Sequence, residues 1–240
     1  IRETTVAAVE QSGARVVFSA LPASIAAGLE TELRHRGLFV FSNAGAHRMD
    51  ADVPLLVPEA NPGHLALAAR QLHKFPGSIV TNPNCVVAGL VLALQPLLAF
   101  GMRAVTVTTF QAVSGGGRRG VAAWDILGNV IPYIAGEEEK IERESRKILG
   151  TLDNGRVCDH EMEIYPSCSR VAVREGHLQS VSAEFAAAVD PDTVENALSG
   201  FTGLPQRLSL PTAPRRPLLV HHGADRPQPG QAGAAPAVDR

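Results

Sequence analysis

The chain has 240 residues, of which 45% are hydrophobic, and a formal net charge of −2. That length suits one large domain or two modest ones with a sizeable core, and the near-neutral charge offers no basic field for nucleic acid. Three cysteines (Cys85, Cys158, Cys168) behind an opening that reads as neither signal peptide nor membrane span argue against a disulfide framework and for a reducing, cytoplasmic setting.

Residues 14–22, ARVVFSALP, predict a buried strand ending in a turn, and 23–37 a helix closed by Gly37. A short strand over 38–43 follows. Residues 61–77 predict a helix with Asn61 as cap and Pro62 in its first turn, and 78–82 another strand. This strand–helix rhythm is that of a parallel α/β sheet. After Cys85 a mostly apolar helix runs to about Phe100, kinked or broken near Pro96. Its longest apolar run, Val86 to Leu94, is too short to span a bilayer, so no membrane partner is expected.

Residues 102–113 alternate as a long strand, SGGGRRG reads as a flexible turn, and 136–150 as a helix with acids first, bases last and Gly after. Residues 169–189 predict a strand pair or one long bent strand, and 191–201 a short helix. Residues 223–240, rich in Pro, Gly and Ala, read as a loose tail. The fold class is α/β: a nucleotide-binding part with a parallel sheet, then an α+β part with long strands.

The chemistry concentrates where "TNPNC" meets the apolar helix. Asn84 is a good N-cap residue, and Cys85 falls in the first helical turn. There unpaired amides and the helix dipole favour thiolate over thiol. A strand-to-helix turn also aims the sulfur at the carboxyl edge of the sheet, where α/β enzymes bind ligands. The competing reading is a small buried hydrophobe. A thiolate acting on a carbonyl needs a proton-transfer partner. Among eight histidines His177, in "RVAVREGH", follows a strand and a glycine, with Arg170 on the same strand. Together they could supply a general base and a carboxylate clamp; alone, such a histidine is more often a satisfied or exposed side chain and such an arginine a solvated surface charge. Gln111, at the entry to "FQAVSGGG", could bond a substrate carbonyl, or the stretch is a mobile hairpin turn. Cys158 and Cys168 read as structural. No metal site is expected.

With "SNAGAHRMDADVPLLVPEANPGHL", "TNPNC", "FQAVSGGG", "NVIPYIAGEEEKIERESRKILG" and "RVAVREGH" in this order, the sequence resembles aspartate-semialdehyde dehydrogenases, most of all the archaeal and fungal-type branch, over roughly residues 12 to 220. The resemblance implies NADPH-dependent reduction of aspartyl phosphate to aspartate semialdehyde and phosphate, on the route to lysine, threonine and methionine, by a homodimer or homotetramer. By motif, Cys85 matches the nucleophile that forms a thioacyl enzyme, His177 the acid/base residue and Gln111 the group that orients the intermediate. Arg170 matches the clamp on the substrate carboxylate. Glu137 and Lys140 match the charged pair of the substrate pocket, and Arg48 and Asn84 the phosphate contacts. Ser19, Ala20, Leu21 and Pro22, with Ser42 and Asn43, match the NADP-lining segments. The implied domains are a partial Rossmann-like dinucleotide-binding domain over 1–84 and a catalytic and dimerisation domain over 85–222.

Two departures from the family pattern set further expectations. The sequence contains no G-x-x-G-x-x-G phosphate turn, and a Pro/Gly/Ala-rich stretch stands where the family has a strand and a long helix. The chain is therefore expected to resemble an interior portion of the enzyme, to show little reductase activity alone, and to leave the 14–19 strand with an unpaired edge. Alternative readings are a malonyl-CoA reductase, an N-acetyl-glutamyl-phosphate reductase, and a non-catalytic fragment that keeps the dimer-forming half.

Overall fold

The computed structural model describes residues 5–222, together with 226, 228–229 and 237–239. The chain divides into two compact units. The first comprises Ile1–Val57, Asn61–Asn84 and Lys147–His160; the second comprises Pro58–Ala60, Cys85–Arg146 and Glu161–Arg240. The first is the expected parallel α/β unit and the second the α+β unit. Residues 147–160, inside the region expected to form one second domain over 85–222, group with the first unit.

In chain order the elements begin with α1 (Val6–Gln11), β1 (Val16–Ser19), α2 (Ala23–His35), β2 (Phe39–Ser42), α3 (Leu65–Gln71) and β3 (Ser78–Thr81). They continue with α4 (Cys85–Leu94), β4 (Met102–Gln111), α5 (Ala123–Ile126), α6 (Glu137–Leu149), β5 (Thr151–Asp153), β6 (Arg156–Cys158) and β7 (Glu163–Arg170). The last are β8 (Leu178–Phe185), α7 (Pro191–Ser199), α8 (Leu204–Arg207), β9 (Leu219–His221) and β10 (Ala237–Asp239). β9 and β10 pair in parallel. The rest of the expected loose tail, 223–240, lies mainly outside the described residues.

In the first unit β1, β2 and β3 pair in parallel in that order. Pro54 to Leu56 extends the sheet beyond β3, with a parallel bridge between Leu55 and Thr81. β3 is thus flanked on both sides, and all four of its residues are buried. β1 is the end strand; among the described residues it pairs only with β2, and Phe18 on it is 83% exposed. α2 buries Ala26, Glu30 and Leu33, a stripe at i, i+4 and i+7. It stops at Gly37, whose φ of +84° suits a residue without Cβ; Leu38 N–H returns to Leu33 O and Gly37 N–H to Arg34 O. Leu33, Leu38, Val40, Val53 and Ile79 form the core with Val6. Each such side chain contributes about 1.5–3 kcal/mol on burial.

The predicted 61–77 helix is shorter and split. A 3₁₀ turn over Pro62–His64 precedes α3. Asn61 makes no side-chain cap bond, because its amide faces inward, accepting from Val57 N–H and donating to Leu55 O. At the other end Gln71 exchanges two hydrogen bonds with Ile79, replacing a strand partner for that residue. β5 and β6 form a hairpin through Asn154 and Gly155, both at positive φ, as a two-residue turn of this hand requires.

In the second unit the order is β7–β4–β8, parallel on one side of β4 and antiparallel on the other. The predicted strands within 169–189 are corrected: β7 begins at Glu163, and it and β8 flank β4 rather than each other. The SGGGRRG stretch is also corrected, from a flexible turn to a 3₁₀ segment over Val113–Arg119, broken at Gly117. α4 ends at Leu94 and continues as a 3₁₀ helix to Phe100, matching the expected break near Pro96. Among the described residues no helix is long and apolar enough to cross a membrane.

Candidate active site

Registration of the second sheet collects the polar side chains. Gln111 on β4 lies opposite Arg170 on β7. The β4–β8 register pairs Phe110 with Leu178, so one step further sets His177 beside Gln111. Opposed residues share a face, which places Arg170, Gln111 and His177 in one cross-strand row. The next row on that face is Cys168, Thr109 and Gln179.

Cys85 is the first residue of α4 and is exposed. Its Sγ lies 3.1 Å from His177 Nε2. The other ring nitrogen, Nδ1, accepts a hydrogen bond from Ala112 N–H at 3.1 Å. Ala112 O accepts from Arg170 Nη1 at 2.6 Å. One residue therefore orients both side chains through its backbone. Arg170 is buried, and its own backbone exchanges two hydrogen bonds with Ile131. Gly115 completes this wall: a Cβ there would stand 2.9 Å from Arg170 Nη1 and 3.5 Å from His177 Cε1. Glycine leaves room for the guanidinium.

Burial, then the Arg170 charge, lowers the pKa of His177, with Glu137 opposing. The neutral imidazole is favoured. Gln111 is buried, and its Nε2 donates weakly to Thr109 Oγ1 at 3.4 Å. Glu137 starts α6, is buried, and pairs with the half-exposed Lys140 at 3.4 Å. Cys168 N–H donates to Glu138 Oε1 at 3.0 Å. Burial foremost raises the pKa of the Cys168 thiol; hydrogen bonds from Thr109 and Gln111 work against it. Cys85 and Cys168 thus lie in opposite environments, one at an exposed helix N-terminus and one in a core.

The remaining sequence-selected residues lie in the first unit. Arg48 is buried in the loop after β2 and donates to Asn43 O at 2.9 Å. Asn84 is buried directly after the β3 turn. A cleft of about 250 Å³ is lined by Phe18, Ser19, Ala20, Phe41, Asn43 and Asn82, residues at or near the carboxyl ends of β1, β2 and β3. Ser19, Ala20 and Asn43 of the expected cofactor segments line it, whereas Leu21, Pro22 and Ser42 do not. Ser42 turns inward, donating to Glu30 Oε1 at 2.7 Å and accepting from Ala44 N–H. Serine and asparagine side chains beside a stacked Phe18–Phe41 pair offer the mixed polar and aromatic lining that one portion of a dinucleotide fits.

Sequence reasoning passed over Ala112 and Gln179. Backbone partners leave no sequence signal. Gln179 had one: it stands two residues beyond His177, on the same face of a strand.

Residues 1–68 match the semialdehyde dehydrogenase NAD-binding domain, and residues 94–238 match the semialdehyde dehydrogenase dimerisation domain. The chain is 44% identical over 218 residues to an aspartate-semialdehyde dehydrogenase of Archaeoglobus fulgidus, covering 90% of this chain and 62% of that protein. It is 45% identical over 217 residues to one of Methanothermobacter thermautotrophicus, covering 89% and 62%. The crystal structure of the Candida albicans aspartate semialdehyde dehydrogenase with NADP superposes with a TM-score of 0.82 at 37% identity, over 90% of this chain and 63% of that one. The chain thus spans less than two thirds of the length of these relatives. The chain belongs to the semialdehyde dehydrogenase family.

Proposed function

We propose that this chain carries the acyl-transfer centre of an NADP-dependent aspartate-semialdehyde dehydrogenase, which reduces aspartyl phosphate to aspartate semialdehyde. The observation that carries the reading is the 3.1 Å approach of Cys85 Sγ to His177 Nε2 at a helix N-terminus. The Cys85 thiolate attacks the acyl carbon. The carbon–oxygen bond to phosphate breaks, and phosphate leaves with the electron pair. The acyl group remains on sulfur as a thioester, which is reactive enough to accept hydride. NADPH supplies that hydride. The carbon–sulfur bond then breaks, its electrons return to Cys85, and the aldehyde is released.

His177 is the acid/base residue. Nε2 faces the reacting sulfur and carries the proton of the neutral ring, because Nδ1 accepts from Ala112 N–H; Nε2 gives that proton up as Nδ1 gains one on release of the Ala112 bond. Gln111 orients the thioester carbonyl. Arg170 offers a planar fork to the substrate carboxylate, and Glu137 with Lys140 offers the complementary pair for the rest of the amino acid. Arg48 and Asn84 contact the phosphate. The cleft lined by Ser19, Ala20 and Asn43 holds part of NADP. The matched dimerisation domain supports a homodimer or homotetramer as the working form. Its location is the cytoplasm.

A steady-state assay with NADPH and aspartyl phosphate tests the reading, run on this chain and on a version extended to the length of its relatives. In whichever is active, His177→Ala lowers turnover about 100- to 10,000-fold, the range for a lost acid/base group, while KM changes little. Unchanged turnover would remove His177 from the mechanism.

A further inference from the structure

We propose that Gln179 is a positioning residue that holds the Cys85 thiolate against His177. It is the second residue of β8, and its Nε2–H donates to Val86 O at 3.0 Å. Val86 directly follows Cys85, and Gln179 stands two residues after His177. The two hydrogen bonds therefore close a small ring: Cys85 and Val86 on one side, His177 to Gln179 on the other, joined by Sγ···Nε2 at 3.1 Å and amide to carbonyl at 3.0 Å. The second bond ties the carbonyl that follows the nucleophile to the strand that follows the histidine. A hydrogen bond weakens steeply with distance and angle, so a small drift would weaken support for the thiolate.

One observation separates this role from ordinary packing. Gln179 Oε1 is buried and finds no hydrogen-bond partner among the described residues. A methionine would fill the same space without leaving that oxygen unsatisfied, so packing does not explain an amide here.

The inference rests on Cys85 and His177 being the reactive pair proposed above. Its test is the pH dependence of iodoacetamide labelling at each cysteine, read by peptide mass spectrometry on the 240-residue chain. Four proteins are compared: the unaltered chain, Gln179→Met, Gln179→Ala and His177→Ala. In the unaltered chain Cys85 labels with an apparent pKa below the free-thiol value of about 8.5. Gln179→Met raises it by about half a unit or more and slows labelling at neutral pH about three- to tenfold. Labelling of Cys158 and the thermal midpoint stay as they were. A Gln179→Met profile identical to the unaltered one, beside a shifted His177→Ala profile, overturns the positioning role and leaves the pair intact. A His177→Ala profile that does not shift overturns the pair itself. Loss of the folded transition in both Gln179 variants also overturns the proposal, since it makes the amide a requirement of the fold.

Discussion

Ala112 N–H donates to His177 Nδ1 at 3.1 Å, and a backbone amide can only donate. Nδ1 must therefore present its lone pair, so the proton of the neutral ring sits on Nε2, 3.1 Å from Cys85 Sγ. A long-range proton–nitrogen spectrum of labelled protein near pH 8 checks this. Nδ1 should resonate as an unprotonated nitrogen and Nε2 as a protonated one. The reverse assignment would contradict the structure.

The pH dependence follows from burial. His177 and His64 both have lowered pKa values, each chiefly through desolvation, with Arg170 adding to the effect at His177 and Lys147 at His64. As pH falls below the ordinary value of about 6.5, the unfolded chain takes up these protons before the folded chain does. Stability from the neutral rings is thus complete above that value and is lost as pH falls through the folded pKa values. Proton NMR titration should show His177 titrating below the ordinary range. Arg170→Met should move it back upward, and Glu137→Gln should move it further down. A His177 midpoint unaffected by Arg170→Met would contradict the assigned cause.

Lys147 anchors the loop that carries Arg48. Its buried ammonium donates to Arg48 O, Asp50 O and Val53 O at 2.7, 2.8 and 3.0 Å. Lys147→Met keeps most of the volume and removes all three donors. Leaving buried acceptors unsatisfied costs about 1–3 kcal/mol each, so a loss of about 3 kcal/mol or more is expected from the urea midpoint at unchanged slope. A loss below about 1 kcal/mol would show that water replaces the ammonium there.

The residues that were legible in the sequence are those whose roles follow from local pattern. Asn-Pro-Asn-Cys before an apolar run fixes Cys85 at a helix start, and the alternation of 102–113 gives β4 almost to the residue. Non-local pairing was not legible. Nothing in the local pattern tells β7 and β8 to admit β4 between them, yet that insertion is what sets Arg170, Gln111 and His177 side by side. Buried charges were also hidden. Lys147 and Glu30 lie on helices predicted from the sequence, and nothing in the local pattern marks either as buried, yet both are. The β5–β6 hairpin carries its own signal in Asn154-Gly155, outside the elements that periodicity predicts. Among the described residues β1, within the 14–19 stretch, is the end strand of the first sheet.

The central claim is that Cys85 becomes acylated by an acyl phosphate. The most direct measurement is mass spectrometry of the acid-quenched 240-residue chain after brief exposure to aspartyl phosphate without NADPH, followed by peptide mapping. The account predicts one added aspartyl group, on the peptide bearing Cys85, removable by hydroxylamine and much reduced in His177→Ala. Acylation at Cys158 or Cys168 instead, or none at any cysteine while the chain remains folded, would contradict it.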